Sequence, residues 1–388
     1  MSQGNGVTVA VIDDGVNANH IDLQVNVLEG KDFMDGGSAT PDAGDDHGTA
    51  MASIIAAHGH GSNDGVIGLA PKAKILPIRD FGTHGPGYPA SIPYAVDRGA
   101  SVISVSMCFD STDPHQIEEA NEAVAYALSR DVLVVGAAGN EADKGGKCYP
   151  AASPGALGVG AVKNDGFIWE GSNPGGFVSL TAPGTRIISA KGTGNGYRSG
   201  TGTSDSTAYV AAAAALLRSK FPDLTAGQIA NRLVKTAALP GAEKGLSLPD
   251  KRYGYGIIQP LAALKEDIPA GSKHGPLTVP ESLQEKSAAP AIGMSDEEQA
   301  RADRKAIIAW TVIGVGSLAV IGLTVLLIVK RSRRNRNQNG APEGPVAYPH
   351  AQQPFPPQHN PYQQQVAPHG NPYQQPSTPP HGQWPPQQ

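Results

Sequence analysis

The chain has 388 residues, 30 Lys and Arg against 35 Asp and Glu, and a formal net charge of −5. That length allows one large domain or two medium ones, and the mild acidic balance gives no footing for a nucleic-acid partner. Two cysteines, an even count, are compatible with one disulfide.

Residues 1–265 are rich in Gly, Ala and Val, with modest charge, as a well-buried domain requires. "GVTVAVIDDG" (6–15) predicts an apolar strand closing on acid and glycine, and "DHGTAMASIIAAHG" (46–59) a helix opened by Asp46 and His47. "AKILPIRDFG" (73–82) and "ASVISVSM" (100–107) predict buried strands. "DPHQIEEANEAVAYALSR" (113–130) is helical, "DVLVVGAAGN" (131–140) a strand, and "GALGVGAV" (155–162) and "FVSLTAPG" (177–184) two more strands. The turn "SGTGTSDSTAY" (199–209) leads into a buried helix over Ala211–Leu217. Thr203, Ser204 and Asp205 at its mouth fit either helix capping or a nucleophile placed where unpaired N–H groups favour developing negative charge.

Apolar strands alternating with helices predict an α/β fold, a doubly wound and mostly parallel sheet with helices on both faces. Functional groups in such sheets gather beyond the carboxyl ends of the strands. Asp13 and Asn140 end strands, and His47 and Ser204 begin helices, so all four are expected at one sheet edge. Singly, each is a turn or capping residue. Together they run in the order Asp, His, Asn, Ser.

Beyond 265 the pattern changes. Residues 266–305 are polar and proline-spotted, read as a stalk or linker. Residues 306–329 carry no charge, and a run of this length fits a membrane-spanning helix. "KRSRRNR" (330–336) marks the cytoplasmic flank and places residues 1–265 outside the cell. Export needs a signal, and "MSQGNGVTVAVIDDG" contains no apolar signal core, so a leader ahead of residue 1 is expected. Within 330–388, the stretch from 337 is dominated by Pro, Gln, His and Tyr, with "QHNPYQQ" partly repeated as "PHGNPYQQ"; a disordered cytoplasmic tail is expected.

The strings "VAVIDDGV", "DDHGTAMASIIAA", "VVGAAGNE" and "GTSDSTAYVAAAAAL" resemble the subtilisin-like serine proteases, over residues 6 to about 262. The triad order Asp, His, Ser is the one that family uses. The resemblance implies Ser204 as nucleophile, His47 as general acid–base, Asp13 as its orienter and Asn140 as oxyanion donor, with protein or peptide substrates and no cofactor. It also implies that substrate lies along the strand carrying Ser104 and Ser106. A first specificity pocket would then be walled by Cys108 and by Gly139 and the segment after Asn140. One apolar span with a basic flank is similar to the mycosins, the membrane-anchored subtilisin-like proteases of type VII secretion systems. That implies partnership with such a complex and a Cys108–Cys148 disulfide, which would leave a shallow pocket suited to small residues.

The chain also departs from the family pattern. Asp205 and Ser206 follow the serine where an apolar residue and Ala are usual, and Ala208 and Tyr209 replace a Pro and a His. Asp205 either perturbs the nucleophile by like-charge repulsion or points to solvent at the helix start. A catalytically impaired domain that binds or scaffolds a secretion complex is the alternative function, and a cytosolic protease with an inverted anchor a third. His58, His60 and Asp64 read as helix-end and loop residues, since no third ligand has metal-site spacing. Asp22 resembles a calcium-site position, but one carboxylate does not make an ion site. "GNGYRSG" (194–200) lacks the Lys-Ser/Thr of a phosphate loop.

Overall fold

The computed structural model describes residues 2–62, 64–81, 88–144 and 146–287. The elements run β1 (Thr8–Asp13), β2 (Lys31–Asp32), α1 (His47–Ala56), β3 (His58–His60), β4 (Asp64–Ile67), β5 (Lys74–Arg79), α2 (Tyr88–Asp97) and β6 (Val102–Val105). They continue as β7 (Phe109–Asp110), α3 (Pro114–Ser129), β8 (Leu133–Ala137), β9 (Cys148–Tyr149), β10 (Leu157–Val162) and β11 (Val178–Pro183). The hairpin β12 (Thr185–Ala190) and β13 (Tyr197–Thr201) precedes α4 (Thr203–Lys220), α5 (Ala226–Thr236), α6 (Pro260–Lys265) and α7 (Glu281–Ser287).

Seven strands form one sheet in the order β11-β10-β8-β6-β1-β5-β2, and every neighbouring pair in it is parallel. The continuous apolar strands explain this, because a sheet covered on both faces needs apolar side chains at odd and even positions alike. Val9, Val11, Val102, Leu133 and Val135 join the core with α1, α4 and α5. The alternate residues Ala10, Ile12, Ile103 and Val134 join the core with α2 and α3.

The helix α4 is buried nearly all round, and its alanines explain how. Ala favours helix and lets a backbone approach closely, so α4 packs against α1, α5 and the strands β6, β8, β10 and β11. The remaining short strands form antiparallel pairs, β3 with β4 and β12 with β13 as hairpins, and β7 with β9 across the intervening α3 and β8.

Three readings are corrected here. The helix predicted over 46–59 stops at Ala56, so His58 and His60 lie on strand β3 and not at a helix end. Of the segment 266–305 read as a stalk, residues 266–273 run back along α5 instead, and 288–305 lie outside the described residues. Buried Arg232 donates to the carbonyls of Ala263, Ile268 and Glu266 at 3.0, 3.2 and 2.6 Å, and Asn231 Nδ2 to those of Pro269 and Ala270 at 3.2 and 3.3 Å. After that strap, α7 packs against α3. Third, Asp205 is only 3% exposed, so it does not point to solvent. Among the described residues no helix is long and apolar enough to cross a membrane; the apolar run 306–329 and the tail lie outside them.

Candidate active site

The parallel sheet gathers the ends of β1, β6 and β8 at one edge, and the four motif residues sit there. Asp13 ends β1 and is fully buried, and its Oδ1 accepts from His47 Nδ1 at 2.7 Å and from the Asp14 N–H at 2.9 Å. Asp14 ties β1 to α1. No side chain of α1's own cap residue, Asp46, serves the first turn. The Asp14 carboxylate does so, accepting from His47 N at 3.0 Å and Gly48 N at 2.6 Å. Asp46 reaches the other way, to the Gly192 N–H at 2.7 Å. Gly48 leaves room for this junction, since a Cβ there would meet the Gly15 carbonyl at 2.3 Å.

Electrostatics follow from that packing. Burial alone opposes a charged His47, but the Asp13 charge and hydrogen bond, aided by Asp14, outweigh it, while Arg198 pulls the other way; the imidazole is raised to about 9. Burial, then the Asp13 charge, lifts Asp14 to about 6 against the two backbone donors and the His47 charge.

Ser204 is the second residue of α4 and 7% exposed. Its hydroxyl donates to the Ser106 carbonyl at 2.7 Å. Asn140 is oriented by Thr203, whose N–H and hydroxyl both donate to Asn140 Oδ1 at 2.9 Å. The amide nitrogen of Asn140 is thereby turned outward. A Cβ on Gly202 would lie 3.5 Å from Asn140 Nδ2 and 3.7 Å from the Ser204 backbone N. Two N–H donors therefore flank one space that glycine leaves empty, beside the residue whose hydroxyl donates to the Ser106 carbonyl. Such an arrangement suits a developing oxyanion.

The loop carrying Asn140 is braced from behind. Asn173 donates from its N–H to the Gly139 carbonyl at 3.1 Å and from Nδ2 to Glu141 Oε2 at 2.8 Å, and accepts from Glu141 N at 2.7 Å. Gly139 has φ 104°, and a Cβ there would collide with Asn173 Nδ2 and Cys148 Sγ at 2.3 and 2.6 Å. Cys148 is disulfide-bonded to Cys108 with their Cα atoms 5.0 Å apart, so the bridge abuts Gly139. Ser104 and Ser106 are 0% and 2% exposed. They lie on the same side of β6 as Val102, which faces α4, and Ser106 Oγ donates to the Ser204 carbonyl at 3.4 Å.

Asp14, Asn173 and Arg198 were missed in the sequence, although the doubled acid of "IDDG" was a legible signal for the first, and Thr203 was read as a cap candidate and not as the residue that holds Asn140. Asp22, read as a calcium-like position, spends both oxygens on protein donors: His60 Nδ1 at 2.5 Å on one, Val66 N and the Tyr197 hydroxyl at 2.9 Å on the other. His58 Nδ1 donates to the Gly59 carbonyl at 2.6 Å. Among the described residues no group of three or more His, Cys, Asp or Glu side chains converges as a metal site.

The model of the subtilase family, Peptidase_S8, matches residues 4–256. The chain belongs to the subtilase family. It is thus a subtilisin-like serine endopeptidase by descent, with the α/β fold that family shares. Mycosin-1 of Mycobacterium tuberculosis (strain ATCC 25618 / H37Rv) is 32% identical over 390 residues, covering 85% of this chain and 82% of the relative. The crystal structure of MycP1 from the ESX-1 type VII secretion system matches with a TM-score of 0.59 and 30% identity, over 71% of this subtilase and 85% of that chain. A chain in the periplasmic assembly from the ESX-5 inner membrane complex matches with a TM-score of 0.58 and 29% identity, over 70% and 81%.

Proposed function

We propose that this subtilase is a membrane-tethered serine endopeptidase that works outside the cytoplasm, beside a type VII secretion complex. Asp13, His47 and Ser204 form its triad, with Asn140 as oxyanion donor. The reading rests most on the space over Gly202, flanked by Asn140 Nδ2 and the Ser204 N–H. Likeness to Mycosin-1 and to a chain of the ESX-5 assembly supports the secretion partner. The uncharged run 306–329 followed by "KRSRRNR" supports one span with an outer catalytic domain and a cytoplasmic tail.

The chemistry runs as follows. Turning about its Cα–Cβ bond frees the Ser204 hydroxyl from the Ser106 carbonyl and directs it to His47 Nε2. As Oγ attacks the scissile carbonyl carbon, its proton passes to Nε2, and Asp13 steadies the imidazolium through Nδ1–H. Asn140 Nδ2 and the Ser204 N–H hold the tetrahedral oxyanion. The imidazolium then gives its proton to the departing amine, the C–N bond breaks, and an acyl-serine remains. Water attacks that ester with His47 as base, releasing the acid and restoring the Ser204 hydroxyl.

A fluorophosphonate probe, which phosphonylates only an activated serine with loss of fluoride, tests the reading. The wild-type chain is expected to be labelled, and Ser204→Ala and His47→Ala to be inert. Asp205 beside the nucleophile favours the second reading, an impaired domain kept as a scaffold; a wild type that labels no better than Ser204→Ala decides for it.

A further inference from the structure

Strand β13 leads straight towards the nucleophile, and its residues alternate. Tyr197, Ser199 and Thr201 are exposed, Arg198 is half-buried and Gly200 is buried, so Arg198 and Gly200 share the inner face. A Cβ on Gly200 would lie 3.4 Å from Arg198 Nη2 and 3.0 and 3.3 Å from the two Asp205 oxygens. The guanidinium is therefore folded in over a bare glycine, towards the first turn of α4. Yet it forms no ion pair with Asp205 and no hydrogen bond with any of the described residues.

The buried arginines behave otherwise. Arg79 donates to Asp32 and Asp35 at 2.9 and 2.7 Å, Arg218 to Asp131 Oδ2 and the Leu224 carbonyl at 2.8 Å, and Arg232 to three carbonyls. Arg198 spends none of its N–H donors. A half-buried cation has given up part of its hydration and gains when an anion replaces it, and a planar fork of donors suits a carboxylate best. Asp205 is 3% exposed and approaches the same glycine without pairing, so the fork stays open to a group from outside.

The place of this fork relative to the reacting bond follows from the backbone. The chain stays extended at Gly202, with φ 173° and ψ 167°. Gly200 thus lies ~7 Å along the strand from the glycine under the oxyanion space, about two residues of an extended substrate. The side follows from the footing of the β12–β13 hairpin on α1. Ser53 Oγ accepts from the Ala190 N–H at 3.0 Å, and Asp46, directly before His47, accepts from the Gly192 N–H at 2.7 Å. The hairpin therefore sits on the side of the general acid. The departing amine takes its proton from His47, so the residues it carries lie on that side, whereas the pocket for the residue before the bond is expected by Gly139 and the disulfide. The Arg198 charge acts on both His47 and Asp205, in keeping with this position.

We propose that Arg198 is a specificity-determining residue: its guanidinium takes the carboxylate of an Asp or Glu side chain at the first or second position after the scissile bond. The proposal rests on the triad reading, which fixes where that bond lies. It makes the chain selective for acidic residues on the leaving side, through a contact that has no part in the chemical steps.

The experiment is digestion of a mixed, C-terminally amidated peptide library by the full chain in detergent, with the new N-termini sequenced. Amidation removes the terminal carboxylate, so only side chains are read. The readout is the ratio of Glu to Gln at the first two positions of the new N-termini, corrected for library content. Wild type is expected to favour Glu by ~10-fold at one of them, the size of one charge-assisted pair, and by less at high salt. Arg198→Met keeps the stem and is expected to bring the ratio near unity. Arg198→Glu is expected to favour Lys over Gln at the same position. Because each ratio compares substrates within one chain, any effect of the substitution on His47 cancels. A merely structural role would slow cleavage of all peptides and leave the ratio as in wild type. No Glu preference in wild type, or an unchanged ratio in Arg198→Met, overturns the proposal. Should both variants fail to fold, the wild-type ratio and its fall with salt carry the test. A wild type that labels with fluorophosphonate but cuts no peptide also overturns it, since the arginine would then have no substrate to select. Absence of labelling would instead sink the triad reading.

Discussion

Asp14 fastens the helix that carries His47: one oxygen accepts from the His47 N–H and the other from the Gly48 N–H, at 3.0 and 2.6 Å. The strand that delivers Asp13 and the helix that delivers His47 are thereby joined within two residues of the Asp13–His47 hydrogen bond. Replacing Asp14 by Ala strips both donors of their acceptor. A loss of about 2–3 kcal/mol in denaturant unfolding is expected, since two part-buried N–H groups are left unpaired. Fluorophosphonate labelling should fall at least ~10-fold, because the helix start that holds the ring against Asp13 loses its anchor. Full labelling with lowered stability would show that Asp14 serves the fold alone.

The pH dependence of turnover follows from His47. Only the neutral ring accepts the serine proton, and this ring is raised to about 9. Turnover per enzyme at low substrate should therefore climb through pH 7 and 8 and level off only above about 9. A profile already flat at pH 7 would contradict the buried carboxylate pairing. Stability moves the opposite way. The folded ring binds its proton more tightly than the unfolded ring at 6.5, so this contribution is fully present below about 6.5 and is lost as pH rises through about 9.

Much of this site was legible in the chain. The strand-end and helix-start positions of Asp13, His47, Asn140 and Ser204 follow from the alternation of apolar strands and helices, because a parallel sheet sends every carboxyl end the same way. What stayed hidden were contacts that no local pattern encodes. Asp205 beside Gly200 and Arg198 depends on how the β12–β13 hairpin folds over α4. Asn173 behind Gly139 joins residues more than thirty apart. The strap after residue 265 looked like a linker because its anchoring is made by backbone carbonyls, which any residue supplies, and by Arg232, an ordinary helix residue in sequence.

Asp205 carries a stability signature of its own. Its folded carboxyl is raised from 3.8 to about 6 by burial, so the folded state holds the proton more tightly and stability falls as pH rises between those values. Asp205→Asn removes that fall. Above pH 7 the variant is expected to be more stable than wild type by up to about 3 kcal/mol, and below pH 4 the two should converge. Equal stability at pH 8 would mean that Arg198 and His47 already offset the buried charge in full.

The disulfide bears on specificity. Cys148 Sγ lies against Gly139, on the wall where the first specificity pocket is expected. A bridge in that place takes up depth, so small residues such as Ala should be preferred before the scissile bond. A peptide library cut as readily after Phe as after Ala would remove this argument. The bridge spans 40 residues, and the Cys108→Ser, Cys148→Ser double variant is expected to lose ~2–5 kcal/mol of stability.

The strap gives a prediction about accessibility. Arg232 is 4% exposed, stacks 4.2 Å from the Phe221 ring centroid, and gives its guanidinium to three carbonyls of residues 263–268. Burial lowers its pKa from the ordinary value, against the charges of Asp267 and Glu266, which work to raise it. Those three bonds, with the Asn231 and Thr225 contacts to Pro269, Ala270 and Lys273, hold 266–273 against α5. Protease added to the wild-type chain should spare 266–287 and cut, if at all between the domain and the apolar run, in the polar stretch after it. Arg232→Met keeps the stem that packs on Phe221 and deletes all three donors. Each freed carbonyl can turn to water only if the strap lifts, so new cleavage between 266 and 280 is expected, with an unfolding loss of about 2–4 kcal/mol. Identical fragments from both chains would mean that the strap is held by α7 and its contact with α3, and that Arg232 is dispensable.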